Sequence, residues 1–142
     1  MVLGLPDKVH SHIMKAPNGV DSKTSMLFEY DNGAAALLMA GLVANLPRDA
    51  FISGSKGVIR VHDPFYKASQ ITLQLHGDDP QVFDFPIEST GYQFEAAEVM
   101  AGIREGKVES DVMSLDETLA LMKIMDGIRA EWGVKYAVAG EK

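Results

Sequence analysis

The sequence predicts an α+β fold: an open, mostly antiparallel β-sheet of about seven strands, with two C-terminal helices packed on one face. Three observations lead to this prediction. Residues 8–85 divide into short apolar runs that turn residues separate. Two longer segments with helical periodicity follow these runs. The chain of 142 residues contains no linker or repeat, so we expect one domain spanning residues 1–142.

The first two thirds of the sequence supply the strands. Segments 8–15 and 20–30 come first, and Asp31-Asn32-Gly33 then predicts a two-residue hairpin turn, because Asn and Gly tolerate positive φ. The returning segment, 34–44, is apolar at both odd and even positions. We therefore expect it to lie in the middle of a sheet with both faces buried. Four shorter strands are predicted at 50–54, 58–62, 71–75 and 82–85.

The last third of the sequence supplies two helices. The first ends at Gly106, which suits a left-handed cap; the second begins with a capping box from Ser114 to Glu117 and ends at Gly133. Their apolar stripes are predicted from helical spacing: Tyr92, Ala96, Val99 and Ile103 in the first, and Leu121, Met125, Ile128 and Trp132 in the second. Two helices cover only one face of a sheet. The other face therefore needs a partner subunit or a further domain.

Composition excludes several classes of function. The formal net charge of −7 opposes binding to the phosphate backbone of a nucleic acid. No apolar run approaches the roughly 18 residues that a membrane span requires. The sequence has no cysteine, which excludes disulfides and thiolate sites, and it shows no signal-peptide pattern. We expect a cytoplasmic protein that binds neither nucleic acid nor membrane.

The histidines are weak candidates for chemistry. His10 and His12 would share one face of a strand, but no third metal ligand is apparent near them. His62 and Asp63 would point to opposite faces of a strand, so surface positions explain them better than a catalytic pair. We predict no metal-binding and no catalytic residue in this chain.

The aromatic pair Phe65-Tyr66 is a better candidate for binding. It follows Pro64 directly after a predicted strand, where a loop projects from the sheet. A rigid aromatic ring with a hydroxyl group suits an apolar ring or the face of a sugar. Phe65 and Tyr66 are therefore the predicted ligand-lining residues, with packing beneath the loop as the alternative.

Two stretches of sequence carry a family resemblance. GSKGVIRVHDPF (54–65) and GYQFEAAEVMAGIREGKVESDVMSLDETLALMKIMDGIRAEWGVKY (91–136) resemble the C-terminal half of the glucose-fructose oxidoreductase and inositol dehydrogenase family, Gfo/Idh/MocA. They are most similar in character to its dimeric dihydrodiol and xylose dehydrogenases. The shared order is a G-x-x-G-x-I/V strand pair, a Pro-aromatic loop and a G-Y-x-x-E helix that runs to a G-K-x-E-S turn.

The resemblance implies a domain that dimerises through the exposed face of its sheet and lines a substrate pocket. The pocket would lie against a Rossmann domain, and the loop with Phe65-Tyr66 and the stretch 86–90 would contribute to it. The parent enzyme would use NAD or NADP to oxidise a sugar, polyol or diol hydroxyl. The family's cofactor fingerprint and catalytic lysine belong to sequence upstream of Met1, so the resemblance implies no cofactor-binding residue here and no activity of the chain alone.

Two other hypotheses remain open at this stage. The chain could be a freestanding oligomerisation or ligand-binding module with the same fold, because fold alone does not fix function. A small metal-dependent hydrolase using His10, His12 or His62 would need further ligands. Gly54 and Gly57 do not indicate a dinucleotide-binding site, because they lack G-x-G-x-x-G spacing. They are most simply a turn between two strands.

Overall fold

Seven strands and two helices form the described part of the chain, residues 2–135 of a computed structural model, which confirms the predicted α+β class. The strands are β1 (Lys8–Lys15), β2 (Asp21–Glu29), β3 (Ala35–Gly41), β4 (Ala50–Gly54), β5 (Gly57–Val61), β6 (Gln70–Leu75) and β7 (Gln81–Asp84). The helices are α1 (Tyr92–Glu105) and α2 (Leu115–Glu131). Neither of these helices is long and apolar enough to cross a membrane.

The strands form two antiparallel sheets, β1-β2-β3 and β4-β5-β6-β7. The connection between β3 and β4 contains Pro47, which lacks the N–H that a strand ladder requires. The chain divides into two compact units. Among the described residues, one unit consists of residues 2–46 and 109–135, and the other is Pro47–Val108.

Helix α2 and the β1-β2-β3 sheet share the core of the first unit. Ile13, Ile128 and Val134 are its buried hydrophobic residues, at 7%, 8% and 6% exposure. Val9, Met26, Ile124 and Trp132 pack against them. The prediction for Met125 is wrong, because this side chain is 49% exposed and Ile124 contacts the core instead. Ile128 and Trp132 are confirmed as core residues, and Ile124 takes the place of Met125, since Ile124 and Ile128 are four residues apart on the helix.

Polar contacts fasten the end of α2 to strand β1. The indole N–H of Trp132 donates to the Ser11 hydroxyl at 2.8 Å, and that hydroxyl donates to the Glu131 carboxylate at 3.0 Å. The Lys15 ammonium donates to the carbonyl of Gly133 at 3.3 Å. A buried indole N–H usually finds a partner, and here its partner fixes the helix on one strand.

The turn between β2 and β3 has three residues rather than the two predicted. Tyr30 and Ala34 are joined by a backbone hydrogen bond of 3.1 Å, which leaves Asp31, Asn32 and Gly33 in the loop. Gly33 has a φ of 83°, and the side chain of Asn32 accepts from the Ala34 N–H at 2.9 Å. A type I turn followed by a left-handed glycine is the common three-residue hairpin, and it uses the same residue types.

Strand β3 lies at the edge of its sheet, so the predicted central position with both faces buried is wrong. Strand β2 lies in the centre, paired with β1 and β3. Leu37, Met39 and Leu38 on β3 are 85%, 53% and 40% exposed. The apolar pattern of this segment was interpreted as burial within the sheet. The same pattern is expected for a surface strand on which another molecule or domain packs.

The helix termini confirm their sequence signals. The Ser114 side chain accepts from the N–H of Glu117 at 3.1 Å, which is the Ser half of the predicted capping box. Gly106 and Gly133 have φ of 70° and 59° and follow α1 and α2 in left-handed conformation. The stripe predicted on α1 does not form a core, because this helix has no buried residue and Ile103 is 71% exposed.

In the second unit, a tight turn joins β4 to β5. Gly54 pairs with Gly57 across it, which confirms that these glycines form a turn between strands. A Cβ atom on Gly57 would lie 2.2 Å from the backbone oxygen of Gln74 on the adjacent β6. Real Cβ atoms do not approach so closely, so the pairing of β5 with β6 depends on glycine at this position.

Candidate functional site

The candidate site is the turn that follows β5. The Asp63–Pro64 peptide bond is cis, and a 3₁₀ turn, Phe65–Lys67, comes directly after it. The N–H of Lys67 donates to the carbonyl of Pro64 at 2.8 Å and closes this turn. We refer to Asp63, Pro64 and Phe65–Lys67 together as the aromatic loop.

The structure places both predicted ligand-lining residues on the surface of this loop. Phe65 is 52% exposed and Tyr66 is 68% exposed. Their rings meet edge to face, with centroids 5.6 Å apart and an interplanar angle of 80°. This geometry is favourable for two aromatic rings, and it leaves much of each ring open for a ligand.

Arg48, just before β4, holds the aromatic loop at three points. Its guanidinium donates two hydrogen bonds to the Asp63 carboxylate, at 2.8 and 3.1 Å. Its carbonyl accepts from the N–H of Phe65 at 2.7 Å. Its Nη1 approaches the Tyr66 hydroxyl at 3.5 Å, the longest and weakest of these contacts. Hydrogen bonding to Asp63 raises the pKa of the Arg48 guanidinium, so this group remains charged.

Lys67 connects the aromatic loop to the stretch 86–90, which the family resemblance implied as the second pocket segment. The Lys67 ammonium donates to the carbonyl of Ser89 at 2.8 Å. Ser89 has a positive φ of 62°, an uncommon conformation for a residue with a side chain. The Gln93 amide donates to the carbonyl of Glu88 at 2.6 Å, and its oxygen accepts from the N–H of Gly91 at 3.0 Å. Lys67 therefore holds the two segments beside each other, and Gln93 fixes the second segment at the start of α1.

Sequence reasoning missed Arg48, Lys67 and Gln93. Arg48 lies fifteen positions before the aspartate that it binds, and no local pattern links the two residues. Lys67 directly follows the predicted aromatic pair, but its partner is a backbone carbonyl, which carries no sequence signal. Of the three, only Gln93 could have been found from the sequence. A Gln directly after Gly91-Tyr92 is placed so that its side chain can accept from a backbone N–H at the N-terminus of a helix.

Three of the four histidines, His10, His12 and His62, have side-chain partners within the fold. His10 contacts the Glu29 carboxylate at 3.1 Å, and the ring of His12 meets that of Trp132 edge to face at 5.3 Å. His62 hydrogen-bonds the Thr72 hydroxyl at 2.8 Å, whereas its neighbour Asp63 binds Arg48. His62 and Asp63 therefore bind different partners and do not bind each other. Among residues 2–135, no three His, Asp or Glu side chains are grouped so that they could hold a metal ion.

The described residues do not fit a nicotinamide dinucleotide. Such a site uses a glycine-rich turn that leads from a strand into a helix, whose N-terminus meets the pyrophosphate. Here the turn that contains Gly54 and Gly57 joins two antiparallel strands, β4 and β5. All strand pairs in residues 2–135 are antiparallel, so a parallel βαβ unit is not formed by this part of the chain.

An open concavity of 420 Å³ lies elsewhere, between the start of β2 and the end of β3. The hydroxyls of Ser22 and Thr24 in its wall bind the carbonyl of Met14 and the carboxylate of Asp21. These hydroxyl groups therefore form hydrogen bonds within the sheet. We therefore place the candidate site at the aromatic loop, where exposed aromatic rings and fixed polar groups occur together.

Comparison with known proteins gives a consistent set of relatives. The chain is 30% identical over 139 residues to trans-1,2-dihydrobenzene-1,2-diol dehydrogenase of Xenopus laevis, a match that covers 92% of the chain and 41% of that protein. The corresponding enzyme of Danio rerio is 29% identical over 140 residues, and this match covers 93% of the chain and 41% of that enzyme. The scyllo-inositol 2-dehydrogenase (NADP(+)) IolU of Bacillus subtilis (strain 168) is 26% identical over 136 residues, with 96% and 41% covered.

The chain spans about two fifths of the length of these curated relatives. No protein-family model matches it. The relatives are dehydrogenases of a diol and of an inositol, and the match covers nearly all of the chain. These similarities confirm the resemblance that the motifs indicate: the chain is similar to the C-terminal domain of the Gfo/Idh/MocA oxidoreductases.

Proposed function

We propose that the chain is the substrate-binding and oligomerisation domain of an NAD(P)-dependent oxidoreductase that acts on a hydroxyl group of a sugar, polyol or diol. The enzyme would be cytoplasmic. The aromatic loop and the stretch 86–90 would form one wall of the substrate pocket, with Phe65 and Tyr66 against the ligand. The relatives' names support a hydroxylated carbon skeleton as the substrate class.

The observation that carries this proposal is the exposure of two aromatic rings on a loop that side chains hold in place. Tyr66 is 68% exposed although Arg48 and Asp63 fix the surrounding loop. An exposed ring on a fixed scaffold can bind a ligand without a large loss of side-chain entropy. The C–H faces of cyclic polyols and diols suit an aromatic surface, and their hydroxyls suit the Tyr66 phenol.

In this proposal, residues outside this chain bind NAD or NADP and supply the catalytic groups. The antiparallel strands and the turn at Gly54–Gly57 support that division, because a dinucleotide needs a different arrangement of glycines. We expect the purified 142-residue chain to produce no reduced nicotinamide from myo-inositol or trans-cyclohexane-1,2-diol. Measurable turnover by the chain alone would contradict this division of roles.

The proposed oligomer is a homodimer formed through the face of the β1-β2-β3 sheet opposite α2. Leu37 and Met39 lie on this face, because they pair with Leu27 and Ser25, whereas the core residue Met26 points to the other side. At 85% exposure, Leu37 leaves a large apolar side chain in water. A second copy of the same face would bury this surface, and twofold symmetry makes such a contact self-complementary.

Ligand binding tests the pocket assignment directly. Titrating the ¹⁵N-labelled chain with trans-cyclohexane-1,2-diol should shift the amide resonances of Phe65–Lys67 and of residues 86–90 before others. Replacing Tyr66 by alanine should weaken binding about tenfold, because the aromatic face contributes about 1–2 kcal/mol of contact. The control is Tyr92→Ala, which removes a ring of similar exposure, 69%, from α1. Equal affinities of the two variants would remove Tyr66 from the pocket.

A further inference from the structure

The contacts of Arg48 suggest a role beyond holding the loop together. Its ion pair with Asp63 is exposed, with 53% and 43% of the two side chains accessible to solvent. Exposed pairs usually contribute little to stability, and a bidentate Arg–carboxylate pair such as this one is the exception. The two parallel bonds do fix direction, because a planar guanidinium and a planar carboxylate meet in one geometry. The pair therefore fixes the orientation of the guanidinium.

The orientation of this guanidinium determines what the Tyr66 hydroxyl can do. The Arg48 Nη1, which is not part of the shorter bonds to Asp63, points to the phenol oxygen at 3.5 Å. Arginine only donates, so the phenol oxygen is the acceptor in this contact. The hydroxyl hydrogen then points away from Arg48. A ligand that approaches the exposed ring meets a hydrogen-bond donor at a defined place.

The geometry points to a specific role: we propose that Arg48 is a positioning residue, which orients the Tyr66 phenol as a hydrogen-bond donor toward an oxygen of the bound hydroxylated substrate. This inference rests on the proposed pocket. Arg48 itself would not touch the substrate. The site would favour ligands that place an acceptor oxygen beside an apolar ring face, as in a cyclic diol or polyol.

The alternative is that Arg48 serves only as an ion-pair partner for the loop. Lysine separates the two roles, because its ammonium can pair with Asp63 as a point charge but lacks the planar fork that reaches two partners in fixed directions. A purely structural pair would be restored by Arg48→Lys. A positioning role would not, because Tyr66 would lose its neighbour while Asp63 kept a cation.

The experiment measures the order of the Tyr66 ring in the intact 142-residue chain. With four tyrosines, ¹³C labelling at the ring ε carbons gives few signals, and their relaxation yields an order parameter for each ring. We expect an ordered Tyr66 ring in the parent chain and a clear loss of ring order in both Arg48→Ala and Arg48→Lys. Arg60→Ala is the matched control, because it breaks the Arg60–Asp49 ion pair of the same unit at 2.8 Å without approaching Tyr66.

A second reading in the same samples separates this inference from the proposed function. Addition of trans-cyclohexane-1,2-diol should shift the Tyr66 ring signal, with about threefold to tenfold weaker affinity in Arg48→Lys. A Tyr66 ring that is equally ordered in the parent chain and in Arg48→Lys would overturn the positioning role. Loss of order in Arg48→Lys, with no response of Tyr66 to the diol in the parent chain, would confirm the orientation and contradict the pocket.

Discussion

Gly57→Ala is expected to lower the free energy of unfolding of the β4-β5-β6-β7 sheet by about 2–3 kcal/mol. The added Cβ would lie 2.2 Å from the backbone oxygen of Gln74 and 2.8 Å from the Cα of Leu75. Both atoms belong to the backbone of β6, so no side-chain rotation can relieve the clash. The β5–β6 ladder must open locally or shift.

Urea unfolding followed by the amide signals of β4–β7 measures this effect, because Trp132, the one tryptophan of the sequence, lies in the other unit. Gly127→Ala is the matched control. A Cβ on Gly127 would meet nothing within 4 Å in the described structure, and a glycine inside a helix is destabilising relative to alanine by roughly 0.5–1 kcal/mol. Gly127 belongs to the first unit, so we expect the control to stabilise that unit and to leave the unfolding midpoint of the β4–β7 signals unchanged. Unchanged stability of Gly57→Ala would contradict the register of β5 with β6.

Leu37→Glu is expected to weaken dimerisation by about a hundredfold or more, because a carboxylate buried without a partner costs several kcal/mol. The side chain is 85% exposed in the single chain, so the monomer should keep its fold. Light scattering coupled to size-exclusion chromatography over a range of concentrations measures the association.

Leu115→Glu is the control for the added negative charge. Leu115 is 67% exposed at the start of α2, where an acidic residue is compatible with the helix dipole. We expect this variant to dimerise like the parent chain. A parent chain that remains monomeric at high concentration, or a Leu37→Glu variant that dimerises normally, would remove the sheet face from the interface.

Local patterns in the sequence predicted most of the secondary structure. The strand segments and the three helix caps at Gly106, Ser114 and Gly133 follow from alternation, turn residues and capping signals, which act over a few neighbouring residues. Ser114 and Glu117 illustrate this, because their hydrogen bond needs only their own spacing. The length of the turn at Asn32-Gly33 was mispredicted, because the same residues suit hairpin loops of two and three residues.

Strand order and burial required information that the local pattern lacks. The apolar segment that becomes β3 was expected in the centre of a sheet, but hydrophobicity indicates that a surface needs cover and does not say which molecule provides it. The same limit applies to α1, whose apolar stripe remains exposed at Ile103. Both features are consistent with a chain that meets further protein surface in its functional assembly.

The candidate site was predicted in part. A Pro-aromatic step after a strand was enough to select Phe65 and Tyr66 as exposed residues, which the structure places on the projecting turn. The residues that orient this turn come from elsewhere in the second unit. Arg48 and Ser89 contact it across the tertiary fold of this unit. Contacts between distant positions depend on the tertiary fold, so a single sequence did not reveal them.

The central claim, that this chain works as one domain of a larger dehydrogenase, is tested most directly by the denatured mass of the native gene product in its source cells. We predict a mass more than twice the 15.4 kDa of this chain, with NAD- or NADP-dependent activity on a diol or polyol in the same purified protein. A native product of 15.4 kDa would contradict the claim and favour a freestanding oligomerisation or ligand-binding module.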